Sequence, residues 1–463
     1  MRLLVLALAA LLPWQALAQN APRPVAQAAP GPPAAGPVMT LEAAERLLVE
    51  RNLAVLAARR GIDIARAQRI VASSMPPMQF AVGNTALEVN ETRAGGIARP
   101  RGLGPTNNIQ TSLTMLVEVG GKRTLRTRLA EENIGVAEAL VLDAMRTQIY
   151  ALRQNFIAAL AARANLDVAL ANRASLDRTE ALLRRRLRDG AIPEGDLLRF
   201  QASRVQFEGD VTNNAQAYAA AVAAVAVTLA ADAADTAARP RLPQLGALAF
   251  EVQGRFTLVP ELGIAREELA EAVQNRPDVV AALRLASAAG VNVNLAEAAR
   301  WRDISVSAGY GRTRLPQNLP DVSGNPAFAN NQLTLQFGIP LFTRRIVEGN
   351  IGVATGQAAQ ADAQARAALL QARADFATAW SQVEQSRALL RLYTGGALGR
   401  AEAAYRSAEQ AYLAGGASLL DVLDALRTLN ATRLAANQAR GAYLTALANL
   451  EQASGVSGVA PRL

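Results

Sequence analysis

Four short segments of the chain alternate between apolar and polar side chains, the pattern of a β-strand with one apolar and one polar face. In the clearest of them, residues 109–119, the odd-numbered positions are mostly apolar and the even-numbered positions are mostly polar. The pattern predicts strands at about 77–89, 108–119, 302–312 and 331–341. Segments of about ten alternating residues are typical of transmembrane barrel strands. Four strands do not close a barrel and lipid does not tolerate open sheet edges, so closure requires several chains.

Helical segments of unusual length follow each pair of strands. Residues 136–189 contain neither Gly nor Pro, and as one helix they would be about 80 Å long. In the second half, Pro is absent between 341 and 460, and Gly395, Gly396 and Gly399 are expected to interrupt the helix. An apolar stripe at helical spacing runs through Ile149, Leu152, Phe156 and Leu160. We therefore expect coiled-coil-like packing rather than a compact globule.

The chain repeats itself at an offset of 225 residues, the difference between Arg276 and Arg51, around which the sequences are similar. The segment 189–198 resembles 414–423 at the same offset. A shared offset at two distant places indicates duplication of a domain-sized unit. We predict a first repeat at 40–235, a linking segment at 236–264, a second repeat at 265–456 and a tail at 457–463.

The first residues have the composition of a secretory signal. Residues 1–18 combine Arg2, an apolar run and a small-residue cleavage pattern. The segment 19–39 is rich in Pro and Ala and is expected to be a leader. Because the sequence has no Cys, we expect no lipid anchor of the bacterial lipoprotein kind. We also expect no membrane-spanning helix after the signal, and the Ala-rich run 215–234 comes closest to one.

Composition excludes several classes of function. The sequence has no Cys and no His, which excludes disulfides, thiolate and imidazole metal sites, and Ser-His-Asp or Cys-His nucleophilic systems. The formal net charge is +9, but an exported chain with only 4% aromatic residues is not expected to bind nucleic acid. We expect no catalytic residues, no cofactor and no resident metal, so the protein is not expected to be an enzyme.

Two repeats, each with a strand pair that feeds a long helix, resemble the TolC-like outer-membrane efflux channels. The motifs VEVGGKR (117–123) and IPLFTRRIVEGNIGVA (339–354) are most similar to the cobalt–zinc–cadmium efflux branch, and AYLAGGASLLDVLDAL (411–426) resembles the family's periplasmic helix turn. The resemblance implies a mainly α fold with a small β part. It implies a homotrimer with a 12-stranded β-barrel in the outer membrane, continued by a periplasmic α-helical barrel. It also implies a passive exit duct for heavy-metal cations, served by a periplasmic adaptor protein and an inner-membrane proton-driven transporter of the RND type.

The resemblance assigns roles to residues at the helix turn. Asp421 and Asp424 match a pair of acids that narrows the pore. Their i, i+3 spacing puts both carboxylates on one helix face, and three copies would form a cation-selective ring. Tyr412 matches the tyrosine of a polar link that holds the closed state, and Asp196 matches an acidic partner from the first repeat. Ala417 stands where the family has the arginine of a second link, so that link is missing or rearranged.

The glycines of the two helix turns have a structural interpretation. Gly190, Gly415 and Gly416 are expected to permit tight turns between helices. Contact of these turns with the adaptor, including Ser418, is a secondary hypothesis.

Two alternatives to metal export stay open. The same channel architecture would serve for drugs, organic solutes or polypeptides. An exported coiled-coil structural protein would explain the helices but not the four strands.

Overall fold

The computed structural model describes residues 38–84, 87–88, 102–103, 108–230, 248–316 and 327–463. The predicted signal peptide, nearly all of the leader and most of the loops between paired strands lie outside these residues. The helices are α1 (Leu41–Arg51), α2 (Leu53–Ser73), α3 (Lys122–Arg188), α4 (Glu194–Thr228), α5 (Arg266–Ala272), α6 (Pro277–Ala298), α7 (Arg344–Leu392), α8 (Leu398–Leu413) and α9 (Leu419–Ser454). The strands are β1 (Val38–Met39), β2 (Gln79–Asn84), β3 (Leu87–Glu88), β4 (Gly102–Leu103), β5 (Asn108–Val117), β6 (Glu251–Val252), β7 (Ile304–Pro316) and β8 (Ala327–Gly338).

The main sheet is antiparallel and has the order β2-β5-β7-β8. Its register places Leu113 opposite both Phe80 and Ala308, so the apolar positions of all four strands share one face. The large exposed side chains on that face are Phe80, Val82, Ile109, Leu113, Met115, Val117, Tyr310, Leu333, Leu335 and Phe337. The prediction extended the last strand to 341, but β8 ends at Gly338 because Pro340 has no N–H for a ladder hydrogen bond.

The other face of the sheet is polar and uncharged in the described strands. Its hydroxyl and amide side chains include Gln79, Gln110, Ser112, Thr114, Ser307, Thr313, Gln332, Thr334 and Gln336. The hydroxyls of Thr114 and Ser307 are 2.6 Å apart across β5 and β7. The sheet therefore separates an apolar surface from a hydrophilic one, as a barrel wall between lipid and water requires.

The long helices pack side by side below the sheet. Helix α3 contacts α2, α4, α6 and α9, and α7 contacts α6 and α9. Leu152 and Phe156 on α3 and Tyr443 and Leu444 on α9 lie at the centre of the main core, each 1% exposed or less. The same element order, helix, strand, strand and long helices, occurs in both halves of the chain. The protein is thus mainly helical with a small sheet, as the sequence predicts.

The second repeat differs from the first by an interruption in its long helix. A π-turn (Tyr393–Ala397) separates α7 from α8, and Gly395 and Gly396 have non-helical backbone angles inside it. Helix α7, the π-turn and α8 contain 49, 5 and 16 residues, three more in total than the 67 of α3. The prediction is confirmed at Gly395 and Gly396, but it was wrong at Gly399, which lies in the first turn of α8.

The end of the linking segment packs against the middle of the helices. Strand β6 pairs in parallel with β1. The Val252 N–H donates a hydrogen bond to the Tyr218 hydroxyl (3.2 Å), and the Tyr443 hydroxyl donates one to the Pro260 carbonyl (2.7 Å). These bonds fasten the connection between the repeats to α4 and α9.

The helical stretch that comes closest to a membrane-spanning helix is not the Ala-rich run that the sequence predicts. Among the described residues, the segment Arg266–Ala298 is the one helical stretch long and apolar enough to cross a membrane, by length and composition alone. The described part of the Ala-rich run, residues 215–230, does not qualify. Helix α6 packs against α3 and α7 in the bundle. The segment also contains the buried Arg276, which bonds Asp278 and the carbonyls of Ala372 and Ala453. A buried, paired arginine suits a helix of a packed bundle rather than one surrounded by lipid.

Candidate functional site at the helix turns

The two helix turns have the same backbone geometry. Gly190 and Gly415 have φ of +71° and +80°, a left-handed conformation that only glycine adopts freely. Their N–H groups donate to the carbonyls of Leu187 and Tyr412, at 3.1 Å in both turns. The next N–H groups, of Ala191 and Gly416, donate to carbonyls five residues earlier, at 2.8 Å in both turns. Both turns therefore end their helices by the same hydrogen bonds.

A small apolar cluster holds the two turns together. It contains Leu176, Leu183, Phe200, Phe207, Leu419, Leu423 and Leu426 from α3, α4 and α9. Tyr405 and Tyr412 of α8 pack against it. The turns of the first and second repeats thus lie at one common end of the helices.

Asp421 and Ser418 form a capping box at the start of α9. The Ser418 hydroxyl and the Ser418 N–H donate hydrogen bonds of 2.8 and 2.9 Å to the Asp421 carboxylate, and the Asp421 N–H donates back to the Ser418 hydroxyl (3.3 Å). These donors lower the pKa of Asp421 below its ordinary value. The side chain is nevertheless exposed, so the carboxylate is ionised and reachable from solvent.

The other acids near the turns face arginines on their own helices. Asp424 Oδ1 lies 3.2 Å from Arg427 Nη1, and Asp196 Oδ1 lies 3.9 Å from Arg199 Nη1. The face of α9 that carries Asp421 and Asp424 therefore also carries Arg427, and its net charge is negative by one unit. Because these pairs are exposed, they add little to stability.

Tyr412 is linked to the first repeat by Arg186. The Arg186 guanidinium lies over the Tyr412 ring at 5.3 Å, within the range of a cation–π interaction. It also donates a hydrogen bond to the Leu413 carbonyl (3.3 Å). Arg186 thus joins the end of α3 to the end of α8, near Ala417, where the sequence analysis found an arginine of the family absent.

Sequence reasoning did not identify the partners of the predicted site residues. The Ser418–Asp421 capping box and the Asp424–Arg427 pair have recognisable spacings, S-x-x-D and i, i+3, that could have been found. The contact between Arg186 and Tyr412 joins distant residues and has no local signal. In the part of the chain that the structure describes, no group of three or more acids is arranged to hold a metal ion.

A polar contact at the other end of the molecule joins the repeats at the base of the sheet. Lys122, the only lysine of the sequence, lies 2.8 Å from the Asp303 carboxylate and donates to the Trp301 carbonyl (2.7 Å). Gly120 has a φ of +83°, and a Cβ there would come within 2.8 Å of the Trp301 side chain. The motif VEVGGKR is therefore a strand-to-helix turn that fastens β5 to the start of β7.

A family model and a curated relative both match this chain and point to the same kind of protein. Residues 269–456 match the family model described as outer membrane efflux protein. The cobalt-zinc-cadmium resistance protein CzcC of Cupriavidus metallidurans is 27% identical over 426 residues, which are 91% of this chain and 89% of CzcC.

Solved structures share the fold. A membrane protein from Pseudomonas aeruginosa matches with a TM-score of 0.70 at 19% identity, over 90% of this chain and 92% of that one. The open state of the MtrE outer membrane channel of Neisseria gonorrhoeae matches with a TM-score of 0.66 at 19% identity, over 90% and 89%. Residues 269–456 thus carry a domain of the outer membrane efflux protein kind, and the chain as a whole shares its fold with solved TolC-like outer membrane channels.

Proposed function

We propose that three copies of this chain form a closed exit duct through the outer membrane. The observation that carries the proposal is the four-stranded sheet, which has an apolar face, a polar face and, among the described residues, a neighbour on only one side of β2 and of β8. Unpaired edges are not tolerated in lipid, so β2 of one copy must pair with β8 of the next. Three copies then give a barrel of twelve strands, and the helices below it enclose a water-filled shaft.

The duct is the outer-membrane part of a tripartite efflux pump. A periplasmic adaptor protein would contact the helix turns at Gly190, Gly415, Gly416 and Ser418. An inner-membrane proton-driven transporter of the RND type would supply the energy, because a passive channel has no energy source. The proposal of heavy-metal cations as cargo is supported by the 27% identity to a cobalt-zinc-cadmium resistance protein.

The narrow end of the duct is proposed to select cations. Asp421 and Asp424 from three chains would give six carboxylates around the axis, and such rings favour cations. Asp196 and Tyr412 are proposed to take part in holding this end closed. The exposure of Asp421 and Asp424, together with the low pKa of Asp421, supports this role.

The oligomeric state of the purified protein tests the proposal of a channel. The sensitivity of a deletion strain to toxic compounds tests the proposal about the exported compounds. The purified protein in detergent should be trimeric by native mass spectrometry, and a stable monomer would refute the channel. Deletion of its gene should raise sensitivity to cobalt, zinc or cadmium ions. Unchanged metal tolerance with increased sensitivity to organic toxins would reassign the cargo to organic molecules, and leave the duct in place.

A further inference from the structure

The sheet contains one junction between the two repeats, where β5 pairs with β7. The proposed duct adds a second junction, where β8 of one copy meets β2 of the next. Each junction joins the last strand of one repeat to the first strand of another, so the duplication makes the two junctions equivalent. The contacts inside the chain at the first junction therefore indicate which residues meet at the second.

The turns that follow β5 and β8 have the same backbone shape but different side chains. Helices α3 and α7 begin 222 positions apart, at Lys122 and Arg344. At this offset Gly120 corresponds to Phe342, and both have a positive φ, of +83° and +57°. The first repeat thus makes this turn with glycine and the second makes it with phenylalanine.

At the first junction the glycine of the turn lies against a large side chain. A Cβ on Gly120 would come within 2.8 Å of the Trp301 side chain, which stands just before β7. Lys122 adds a contact of 2.8 Å with the Asp303 carboxylate. This junction is therefore closed by a tryptophan and an ion pair of the same chain.

At the second junction the sizes of the side chains are reversed. Helices α2 and α6, which lead into β2 and β7, end at Ser73 and Ala298, 225 positions apart. At that offset Pro76 corresponds to Trp301, so the smaller side chain precedes the strand. The larger one, Phe342, is on the turn.

The ion pair of the first junction has no equivalent at the second. Met78 stands in the place of Asp303. Arg344, in the place of Lys122, pairs with Glu348 of its own helix at 2.8 Å. The second junction is thus suited to an apolar contact rather than to a charged one.

Phe342 combines exposure with backbone strain. Its side chain is 94% exposed, which leaves a large apolar surface in contact with solvent. A positive φ is also unfavourable for a bulky residue, and such conformations persist where surrounding structure holds them. Within one copy the exposed ring makes too few contacts to offset either cost.

An apolar pocket lies at the start of β2, beside the first turn of α3. We call it the methionine pocket. Its volume is about 510 Å³, and its apolar lining consists of Met75, Pro76, Met78, Met115, Leu116 and Val117. Three of the six methionines of the sequence are among them. Methionine side chains adapt their shape to a partner, and their sulfur atoms make favourable contacts with aromatic rings.

The antiparallel sheet places Phe342 and the methionine pocket at one level. Strand β2 begins at Gln79 and β8 ends at Gly338, both at the base of the sheet where the helices begin. In the proposed barrel these two strand ends lie side by side. Phe342, four residues beyond Gly338, then reaches the segment that precedes Gln79 in the next copy.

We propose that Phe342 of each copy inserts into the methionine pocket of the next copy. This inference rests on the proposed duct of three copies and names a contact that fastens its seam. Insertion would bury the phenyl ring and hold the turn in its positive φ. Because β2 and β8 are opposite edges of the sheet in one chain, Phe342 cannot reach the pocket of its own copy.

Disulfide cross-linking tests the contact, since the sequence has no Cys of its own. The test variant carries Met75→Cys and Phe342→Cys, and in detergent with a mild oxidant it should form covalent dimers and trimers on a denaturing gel. The control variant carries Val205→Cys and Phe342→Cys; Val205 lies on α4 and is as exposed as Met75, 71% in both cases. It should remain monomeric on the same gel.

The rate at which the trimer dissociates in detergent is a second measurement that needs no disulfide geometry. Phe342→Ala keeps a Cβ at the strained position and removes the ring, and should speed dissociation about tenfold, as loss of a central aromatic contact does. Phe342→Leu should restore much of the stability. Leu333→Ala removes another highly exposed side chain of β8 (87%) and should leave the rate unchanged.

A native trimer with neither the Met75–Phe342 cross-link nor faster dissociation of Phe342→Ala would overturn the contact and assign Phe342 to the lipid surface. The proposed duct would then still stand. A wild-type protein that is monomeric in detergent would refute the duct and the contact together, so the two failures are distinguishable.

Discussion

The net charge at the start of α9 can be changed one unit at a time, and each change predicts a different ion selectivity. In the wild-type chain this face carries two carboxylates, Asp421 and Asp424, and one guanidinium, Arg427. Asp421→Ala or Asp424→Ala removes one negative charge and leaves the face neutral. Arg427→Ala raises its net charge to two negative units. We therefore expect cation preference to fall in the order Arg427→Ala, wild type, either single aspartate variant, and the double variant.

The size of the effect depends on salt. Three charges about 10 Å from a permeating ion, screened at 0.1 M salt, should change the permeability of a cation by about twofold and that of an anion by about twofold in the opposite direction, so the ratio of cation to anion permeability should change by about fivefold for each step. At 1 M salt the differences should nearly vanish because the Debye length falls to about 3 Å. The assay is the reversal potential of single channels in planar bilayers under a salt gradient.

Ser418→Ala separates the charge of Asp421 from its role as a cap. The substitution removes the hydrogen bonds of the Ser418 hydroxyl and should destabilise the start of α9 by about 1 kcal/mol. Amide exchange at residues 419–421 should then be about fivefold faster. Since no charge changes, selectivity should stay at the wild-type value. A double aspartate variant with unchanged selectivity, or a Ser418→Ala variant with the same loss as Asp421→Ala, would refute the charge argument.

Three other perturbations test the packing around the site. Arg276→Met should lower the free energy of unfolding by about 3 kcal/mol, because it leaves Asp278 and two buried carbonyls without the arginine that bonds them. The midpoint of denaturant unfolding measures this change, and an unchanged midpoint would contradict the prediction. Hydrogen bonds from Gln201, Arg184 and Arg204 lower the pKa of Glu180 to about 2. The ionised carboxylate therefore contributes its full share to the free energy of unfolding above pH 4.5, and this share is lost as the pH falls toward 2. The protection of the α3 and α4 amides, measured as the ratio of intrinsic to observed exchange rate, should fall in that pH window in the wild type and not in Glu180→Gln. Arg186→Ala should raise the open probability of the channel by removing the contact with Tyr412, whereas the exposed neighbour Arg185→Ala should not.

The elements with a strong local pattern are predicted from sequence. The four strands follow from period-two alternation, and α3 follows from a long stretch without Gly or Pro. The position of the π-turn follows from Gly395 and Gly396. The order of strands, however, depends on which edges meet, and alternation within each strand carries no such information.

The polar contacts that join the two repeats are harder to predict than those within one helix. Asn172 and Asn430 are 258 positions apart, and Arg186 and Leu413 are 227 apart. Taken alone, Asn172, Asn430 and Arg186 are ordinary polar residues of a helix, and nothing in their local sequence indicates a distant partner. Their partners follow only when the antiparallel register of α3 and α9 is known. The prediction of the most membrane-like helix is wrong for a different reason: alanine is only weakly apolar, and α6 contains seven Val and Leu residues whereas the run 215–234 contains four.

The uncharged polar face of the sheet has a consequence for where selectivity arises. Its described side chains are amides, hydroxyls, small residues and Leu116, all of them uncharged, so they attract cations and anions about equally. At the other end of the proposed duct, the carboxylates of Asp421 and Asp424 on α9 are exposed, and hydrogen bonds from Ser418 lower the pKa of Asp421. Substitution of Gln110 or Gln332 by Leu should therefore alter single-channel conductance but not the ratio of cation to anion permeability. A chain with a net charge of +9 would select cations only if the acids at its narrow end outweigh its arginines. A change of permeability ratio in the Gln332→Leu channel would show that the sheet, and not the helix turn, controls which ions pass.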